Sequence, residues 1–136
     1  MYKRQTSSSS LFEIGPRHLS AAPESGYVGE ESVTTARLDE VLAGLIDDHP
    51  RVYLKIDVQG GELDVLAGAE EVVRLAEVVD CELSLVPLYV GGAVWADVVE
   101  HLAARGFGLL WVEPVLRDPT TNELLQIDGL FVRTVA

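Results

Sequence analysis

Apolar and polar residues alternate through residues 52–58, which is the pattern of a β-strand with one buried face. The two faces of this strand carry Leu54, Ile56 and Val58 on one side and Tyr53, Lys55 and Asp57 on the other. The apolar run at 79–86 predicts a second strand. Between the two, helical spacing places on one face Leu63, Leu66, Ala69 and Val73. The pattern therefore predicts a strand–helix–strand unit with parallel strands.

The second half of the chain adds one helix and two strands to this unit. Residues 93–105 have helical spacing, and the side chains predicted to point inward are Trp95, Val98, Val99 and Leu102. Residues 107–115 and 124–134 are predicted strands, joined by a hairpin loop at 117–123. We expect strand 124–134 to lie between strands 79–86 and 107–115, antiparallel to 79–86. The fold class is therefore α/β, and since the helices cover this sheet only in part, it resembles the second half of a larger sheet.

The first fifty residues have weaker patterns. Residues 1–10 contain a serine run without periodicity, typical of a disordered tail, and the Gly and Pro residues of 11–31 are typical of a loop with one helical turn. We predict an irregular lead-in over residues 1–31 and a partial domain over residues 32–136. Within this domain, β-branched residues predict a short strand at 32–37, and Asp39 is the predicted N-cap of a helix from residue 40 to about 48.

Composition excludes several classes of function. The 136 residues are 48% hydrophobic, which suits a packed core, and the net charge of −12 repels a phosphate backbone, so nucleic acid is not expected as a partner. No apolar run is long enough to span a membrane, and none follows Lys3 and Arg4 as in a signal peptide. A cytoplasmic protein is therefore expected, and Cys81 is predicted to be a buried thiol.

The run Lys55-Ile-Asp-Val-Gln-Gly-Gly-Glu62 contains the main candidates for chemistry. Asp57 ends a strand and Glu62 begins a helix, at the sheet edge where open α/β sheets bind their ligands. One interpretation is that Asp57 orients a substrate hydroxyl, acts as a base or helps to hold a metal. The other is that Asp57 accepts the free N–H groups of the turn while Glu62 favours the positive end of the helix.

Three further sites also have two interpretations each. Lys55 and Glu82 interrupt the apolar pattern of neighbouring strands, so they either form an ion pair or point past the sheet into solvent. Tyr89 follows the second strand and either lines a substrate pocket or packs within its loop. The pair Asp128-Gly129 predicts a β-bulge, with or without a role in the site.

Several common sites are missing from the sequence. His18, His49, His101 and Cys81 do not have the spacing of zinc ligands, and no metal is expected. The sequence has no Gly-x-Ser-x-Gly elbow and no Walker loop.

Five segments together resemble the FkbM family of S-adenosylmethionine-dependent methyltransferases. They are Arg37-Leu-Asp39, Lys55 to Ala69, Cys81-Glu-Leu-Ser84, Pro87-Leu-Tyr-Val-Gly91 and Leu125 to Arg133, within about residues 32–135. The resemblance implies a class I methyltransferase fold, which is Rossmann-like with a terminal antiparallel hairpin, and S-adenosylmethionine as the cofactor. It implies O-methylation of a small-molecule or sugar hydroxyl, with Asp57, Glu62 and Glu82 as catalytic candidates and Lys55 and Tyr89 as substrate-binding candidates.

The sequence departs from this family at the cofactor site. The Asp/Glu-x-Gly-x-x-Gly loop of the first strand and the ribose-binding acid of the second are not found, and Phe12-Glu-Ile-Gly15 is only faintly similar. The cofactor-binding residues are therefore unknown, and we expect a fragment, inactive by itself, that lacks most of the cofactor site. The alternative is an acidic α/β module that binds a partner and catalyses nothing.

Overall fold

Short strands and short helices alternate along the chain in the computed structural model, which describes residues 2–4, 9–46 and 51–134, with side chains from residue 9 onward. The helices are α1 Pro16–Ala21, α2 Leu38–Val41, α3 Glu62–Ala67, α4 Glu70–Leu75 and α5 Trp95–Ala103, with a 3₁₀ turn at Pro23–Ser25. The strands are β1 Tyr2–Arg4, β2 Ser9–Ser10, β3 Glu13–Ile14, β4 Gly29–Glu31, β5 Val52–Ile56, β6 Ala76–Ser84, β7 Tyr89–Val90, β8 Phe107–Arg117 and β9 Leu124–Arg133. The fold is therefore mixed α/β.

A four-stranded sheet in the order β5-β6-β9-β8 forms the centre of the molecule. β5 and β6 are parallel, whereas β9 is antiparallel to both β6 and β8. The predicted strand order is confirmed. The hairpin loop that joins β8 to β9 is closed by Asp118, whose Oδ1 accepts hydrogen bonds from the backbone N–H groups of Thr120 and Thr121 at 2.8 and 3.1 Å.

Helices α3, α4 and α5 supply apolar side chains that pack with one face of this sheet. The largest buried side chains of this core include Ile56, Leu66, Val73, Val79, Leu83, Leu102 and Phe131. The single helix expected after Gly61 is divided into α3 and α4 at Gly68 and Ala69. Trp95, predicted to point inward, is 43% exposed, so that prediction is wrong. Within the described ranges, no helix combines the length and the apolarity that a membrane crossing needs.

Helix α4 is capped at both ends by residues distant in the sequence. Asp39 Oδ1 accepts from the backbone N–H groups of Glu71 and Val72, each at 3.1 Å. At the other end, the guanidinium of Arg133 donates to the carbonyls of Val73 and Arg74 at 2.8 and 2.7 Å. The predicted capping of a helix at 40–48 is wrong, because Asp39 lies inside the four-residue α2 and caps α4 instead. Residues 47–50 lie outside the described part of the chain.

The N-terminal region contains more regular structure than its sequence indicates. β1 pairs with both β2 and β4, and β3 pairs with β7. The described part of residues 1–10 therefore contains two strands rather than a tail, and the predicted strand at 32–37 is replaced by β4 just before it. Helix α1 is the helical turn expected within residues 11–31. The domain boundary at residue 32 stays a prediction.

The outer strand β8 carries the irregularities of the hairpin. The pairing between β8 and β9 shifts between Leu109 and Trp111 and again between Pro114 and Leu116, whereas β9 pairs with β6 without a shift. The bulge predicted at Asp128-Gly129 is therefore wrong. Gly129 is instead closely packed, because a Cβ atom there would lie 2.7 Å from Cδ1 of Leu83 and that side chain would have to shift.

Candidate functional site

The turn after β5 positions the candidate residues. Gln59 has a φ of 57° and Gly60 a φ of 104°, so two consecutive residues occupy left-handed backbone conformations. Glycine is the only residue type that fits at position 60, since a Cβ atom would lie 2.9 Å from Cβ of Tyr89. Ser10 Oγ donates to the backbone carbonyl of Gln59 at 2.7 Å and so ties the N-terminal region to the turn.

The side-chain amide of Gln59 is the centre of a buried polar network. Its Nε2 donates to Asp57 Oδ1 at 2.9 Å and to Glu82 Oε2 at 2.7 Å. Its Oε1 accepts from the hydroxyl of Tyr89. Gln59 is 8% exposed, so one buried amide connects the end of β5, the end of β6 and the loop after it.

Glu82 lies at the inner end of this network and is 6% exposed. Its Oε2 accepts a second hydrogen bond from Gln126 Nε2 on β9, at 2.7 Å. Burial, and after it the nearby charge of Asp57, raises the pKa of Glu82 to about 8. This carboxyl group is therefore largely protonated at neutral pH, because burial and the nearby charges of Asp57, Glu62 and Asp128 disfavour its ionised form.

Glu62 closes the turn at the start of α3. It is 3% exposed, and its Oε1 accepts from the backbone N–H of Gly60 at 3.0 Å. Burial raises the pKa of this carboxyl group, against the lowering effect of the backbone N–H groups. The turn N–H that Asp57 was predicted to accept is therefore bound by Glu62, and the recorded partner of the exposed Asp57 side chain is Gln59.

Lys55 does not pair with Glu82, so that prediction is wrong. Its Nζ lies 3.8 Å from Asp80 Oδ2 and 4.0 Å from Asp128 Oδ1. The register explains the difference, because Lys55 lies opposite Asp80 on β6. Lys55 is half-exposed on this face of the sheet, away from the cavity described below, and its predicted contact with substrate stays a prediction.

Tyr89 is buried beneath the turn. It is 3% exposed, its hydroxyl donates to Gln59, and the ring of His18 meets it edge-on with centroids 5.3 Å apart. Burial raises the pKa of the Tyr89 hydroxyl. The structure thus favours the interpretation of a packed loop tyrosine, and its predicted role in substrate binding stays a prediction.

A cavity of about 780 Å³ opens beside Asp57. One wall is the segment leading into α2, the other is α3, and Asp57 and Val58 lie between them. The lining residues are Ser9, Leu11, Thr35, Ala36, Arg37, Leu38, Glu40, Val41, Asp57, Val58, Gly61, Asp64, Val65, Ala67 and Gly68. A cavity of this size holds a small-molecule ligand.

The cavity is mostly apolar and carries more negative than positive charge. Its carboxylates are those of Glu40, Asp57 and Asp64, against the single guanidinium of Arg37. That guanidinium already donates to the carbonyl of Ala67 at 2.9 Å and lies 3.9 Å from Asp39 Oδ2. Among the described residues, no group of three His, Cys, Asp or Glu side chains has the geometry to hold a metal ion.

Of the predicted site residues, the structure brings Asp57, Glu62, Glu82 and Tyr89 to one turn and leaves Lys55 outside it. Sequence reasoning missed Gln59, Gln126 and Ser10, which complete the network. Gln59 had a signal, since a polar side chain directly before Gly60-Gly61 is placed at a turn. Gln126 and Ser10 had none, because only the folded chain brings them to Glu82 and Gln59.

Comparison with known proteins identifies one family. The sequence profile described as the methyltransferase FkbM domain matches residues 2–109. The match includes the N-terminal strands and the whole turn, and it ends within β8, before the segment Leu125 to Arg133. No curated protein and no solved structure matches the chain.

Proposed function

Because the chain belongs to the methyltransferase FkbM domain family, we propose that it forms the acceptor side of an S-adenosylmethionine-dependent O-methyltransferase. In this proposal β5, β6, β9 and β8 are one half of a Rossmann-like class I sheet. The acceptor is a hydroxyl group of a small molecule or sugar. The observation that carries the proposal is the position of Asp57, which lines the cavity at the carboxyl end of β5.

The charge of the cavity suits such a cofactor. S-adenosylmethionine supplies an electrophilic methyl group bound to a positively charged sulfur. Carboxylates at Asp57, Asp64 and Glu40 stabilise a positive group placed between them. These three residues are therefore the ones in this chain that would lie nearest the sulfonium, and the contacts to the adenosine would come from elsewhere.

Asp57 has the chemistry of a base for the acceptor. Its carboxylate accepts the hydrogen of the acceptor hydroxyl and directs an oxygen lone pair toward the methyl carbon. As the acceptor oxygen was methylated, the methyl–sulfur bond of the cofactor would break to leave a neutral thioether, and Asp57 would take the hydroxyl proton. The apolar walls, including Val58 and Val65, exclude water that would compete for the methyl group. Holding the two reactants in contact supplies much of the acceleration in a displacement of this kind.

The same charges restrict the acceptor. The guanidinium of Arg37, the single one among the described lining residues, is engaged by Ala67 and Asp39, so an anionic acceptor would face three carboxylates with little compensation. We therefore assign neutral or positively charged hydroxyl compounds as acceptors, in preference to phosphorylated or carboxylated ones.

One observation favours a second candidate, a non-catalytic acidic α/β module. The residues with Glu-x-Gly-x-x-Gly spacing, Glu24 to Gly29, join the 3₁₀ turn at Pro23–Ser25 to β4. No such loop therefore joins a described strand to a helix, the place where in this type of enzyme it supplies most polar contacts to the cofactor. In the first proposal that loop belongs to another part of the enzyme, and this chain alone binds the cofactor weakly.

Titration of the ¹⁵N-labelled chain with S-adenosylmethionine, followed by NMR, separates the two candidates because it detects millimolar binding. Under the first proposal, amide shifts concentrate at residues 57–68, the dissociation constant is weaker than micromolar, and Asp57→Asn weakens binding further. Adenosine, which lacks the sulfonium, serves as the control ligand and shifts these amides less. An absence of shifts at 57–68 contradicts the first proposal and favours the binding module.

A further inference from the structure

We propose that Gln59 is a positioning residue for Asp57: its amide holds the Asp57 carboxylate at the cavity and connects it to the buried Glu82. This inference rests on the proposed function, since it concerns the same carboxylate. It assigns a task to a residue that would touch neither cofactor nor acceptor.

The geometry of the amide leaves it no free orientation. Both hydrogens of Nε2 are directed to carboxyl oxygens, at 2.9 Å to Asp57 and 2.7 Å to Glu82, while Oε1 accepts from the Tyr89 hydroxyl. Rotating the amide by 180° would place its oxygen against the acceptor oxygen of the Asp57 carboxylate, where neither group has a hydrogen to donate. The network therefore fixes which atom of Gln59 faces Asp57.

Asp57 needs such a contact because no other residue in the described part of the chain forms a hydrogen bond with its side chain. It is exposed, and a short exposed side chain exchanges among its rotamers in nanoseconds or less. The bond to Gln59 engages Oδ1, so Oδ2 is the oxygen left for an acceptor. Because misplacement by about 1 Å commonly costs about 100-fold in rate, fixing this carboxylate matters more for transfer than for folding.

No other side chain at position 59 makes the same contacts. Glutamate would bring a third carboxyl group against Asp57 and Glu82, asparagine is one carbon shorter, and methionine has the size but no donor. The backbone supports the requirement, since a φ of 57° at a non-glycine residue is costly and is retained where surrounding contacts impose it. Those contacts are Ser10 on the Gln59 carbonyl and Tyr89 on its amide.

Gln126 offers a matched control. Its Nε2 donates to the same Glu82 oxygen, also at 2.7 Å, but no hydrogen bond joins it to Asp57 among the described side chains. Gln59→Met and Gln126→Met therefore each remove one amide donor from Glu82, and only the first releases Asp57. Any effect that acts through Glu82 or through core packing alone affects both variants.

The test is the rotamer distribution of Asp57, measured by NMR from its three-bond Hα–Hβ couplings in the cofactor-free chain. We expect one dominant rotamer in the unmodified chain and in Gln126→Met, and averaged couplings in Gln59→Met. Where transfer is measurable, Gln59→Met should lower kcat roughly 10- to 100-fold with little change in KM for the cofactor. A single Asp57 rotamer in Gln59→Met, or equal averaging in both variants, overturns the inference.

A second variant covers the case in which Gln59→Met does not fold. Tyr89→Phe removes only the hydroxyl that orients the amide, and we expect partial averaging of Asp57 in it. Unchanged Asp57 couplings in Tyr89→Phe then overturn the inference. The couplings are measured without cofactor, so a result that contradicts the role of Gln59 does not contradict the proposed function. Conversely, an absence of cofactor binding in the titration does not contradict the contact between Gln59 and Asp57.

Discussion

Asp39 Oδ1 lies 3.1 Å from the backbone nitrogen of Val72, thirty-three positions later in the chain. The residue before α4 is Ala69, which has no side-chain acceptor, so Asp39 satisfies the N–H groups that the helix leaves open. Because Asp39 neighbours two cavity-lining residues, Leu38 and Glu40, this bond also ties one cavity wall to the core.

Removing this cap should destabilise the fold. We expect Asp39→Ala to lower the free energy of unfolding by about 1 kcal/mol, since N-cap substitutions by alanine typically have this effect. Urea denaturation followed by circular dichroism measures the change. The control is Glu40→Ala, on an exposed neighbour without a recorded side-chain contact, and equal destabilisation by both variants would show that the bond contributes nothing.

Arg133 should contribute at the other end of α4. Its guanidinium donates to four carbonyls, those of Val73, Arg74, Ala76 and Arg105, and lies over the ring of Phe107 at 4.6 Å. Arg133→Lys keeps the charge but not the planar set of donors, so we expect a loss of about 1 kcal/mol in the same assay. Arg117→Lys, with one recorded hydrogen bond, is the comparison and should change the stability by much less.

Glu82 should make the stability of the chain depend on pH. Its pKa is about 8 in the folded chain, because of burial, against 4.5 for an ordinary glutamate. Between these values the folded state holds a proton that the unfolded state has lost, so its contribution is complete below about pH 4.5 and is lost as the pH rises toward 8. We expect the unfolding free energy to fall by up to a few kcal/mol over this window.

Glu82→Gln is the variant that tests the pH dependence. An amide oxygen at this position still accepts from Gln59 and Gln126, so the fold should survive and the slope between pH 5 and 8 should flatten. The pKa of Glu62 is also raised, and this group accounts for the pH dependence of the unfolding free energy that remains in Glu82→Gln. Glu100→Gln, at an exposed position on α5, should leave the slope as it is. A slope that persists unchanged in Glu82→Gln would assign it to other groups.

Asp57→Asn should reduce methyl transfer far more than stability. Loss of one positioned base commonly lowers the rate 10²- to 10⁴-fold. Asparagine keeps the shape of the side chain and an oxygen that accepts from Gln59, so we expect at most about 1 kcal/mol of destabilisation. Two measurements test this prediction. One is the melting temperature of this chain, and the other is the turnover of an active FkbM-family enzyme with the same substitution. Normal turnover with a lowered melting temperature would give Asp57 a structural role only.

The charge of the cavity should be visible in the ligands it accepts. Glucose, glucosamine and glucuronate differ mainly in charge. We expect the affinity to decrease from glucosamine to glucose to glucuronate, with a several-fold difference at each step, corresponding to about 1 kcal/mol. NMR titration measures the series, and added salt should narrow it. Asp64→Asn should narrow it as well. Tighter binding of glucuronate would show that Arg37 is free to bind an anion.

The order of the four central strands was predictable from sequence because few arrangements satisfy its constraints. A crossover helix forces β5 and β6 to be parallel, and a short loop such as 117–123 forces β8 and β9 to pair. The β-strand pattern at 52–58 also fixed which side chains are buried, as Leu54 and Ile56 show. Local patterns were therefore sufficient for the strand pairs joined by a helical crossover or by a short loop.

What the sequence did not predict depends on contacts between distant segments. Asp39 is a residue type that commonly caps the N-terminus of a helix. Nothing in the local sequence shows that it caps α4 and not the helix in which it lies. Lys55 and Glu82 both interrupt an apolar pattern. In the observed register, however, Lys55 forms an ion pair with Asp80, and Glu82 accepts a hydrogen bond from Gln59. The division between α3 and α4 follows from packing around Gly68 and Ala69, which helical spacing alone does not report.

The irregular pairing of β8 bears on how readily its free edge would pair with another chain. β8 exposes Leu110, Trp111 and Val115, and no described strand pairs with its outer side. A long apolar strand in that position would ordinarily recruit another chain into a growing sheet. Leu110 and Val115, which lie at two of its shifts in register, and Pro114, which lacks an N–H, interrupt any regular ladder that a second chain would form along it. We therefore expect the irregular pairing that shapes the hairpin to hinder aggregation through this edge as well.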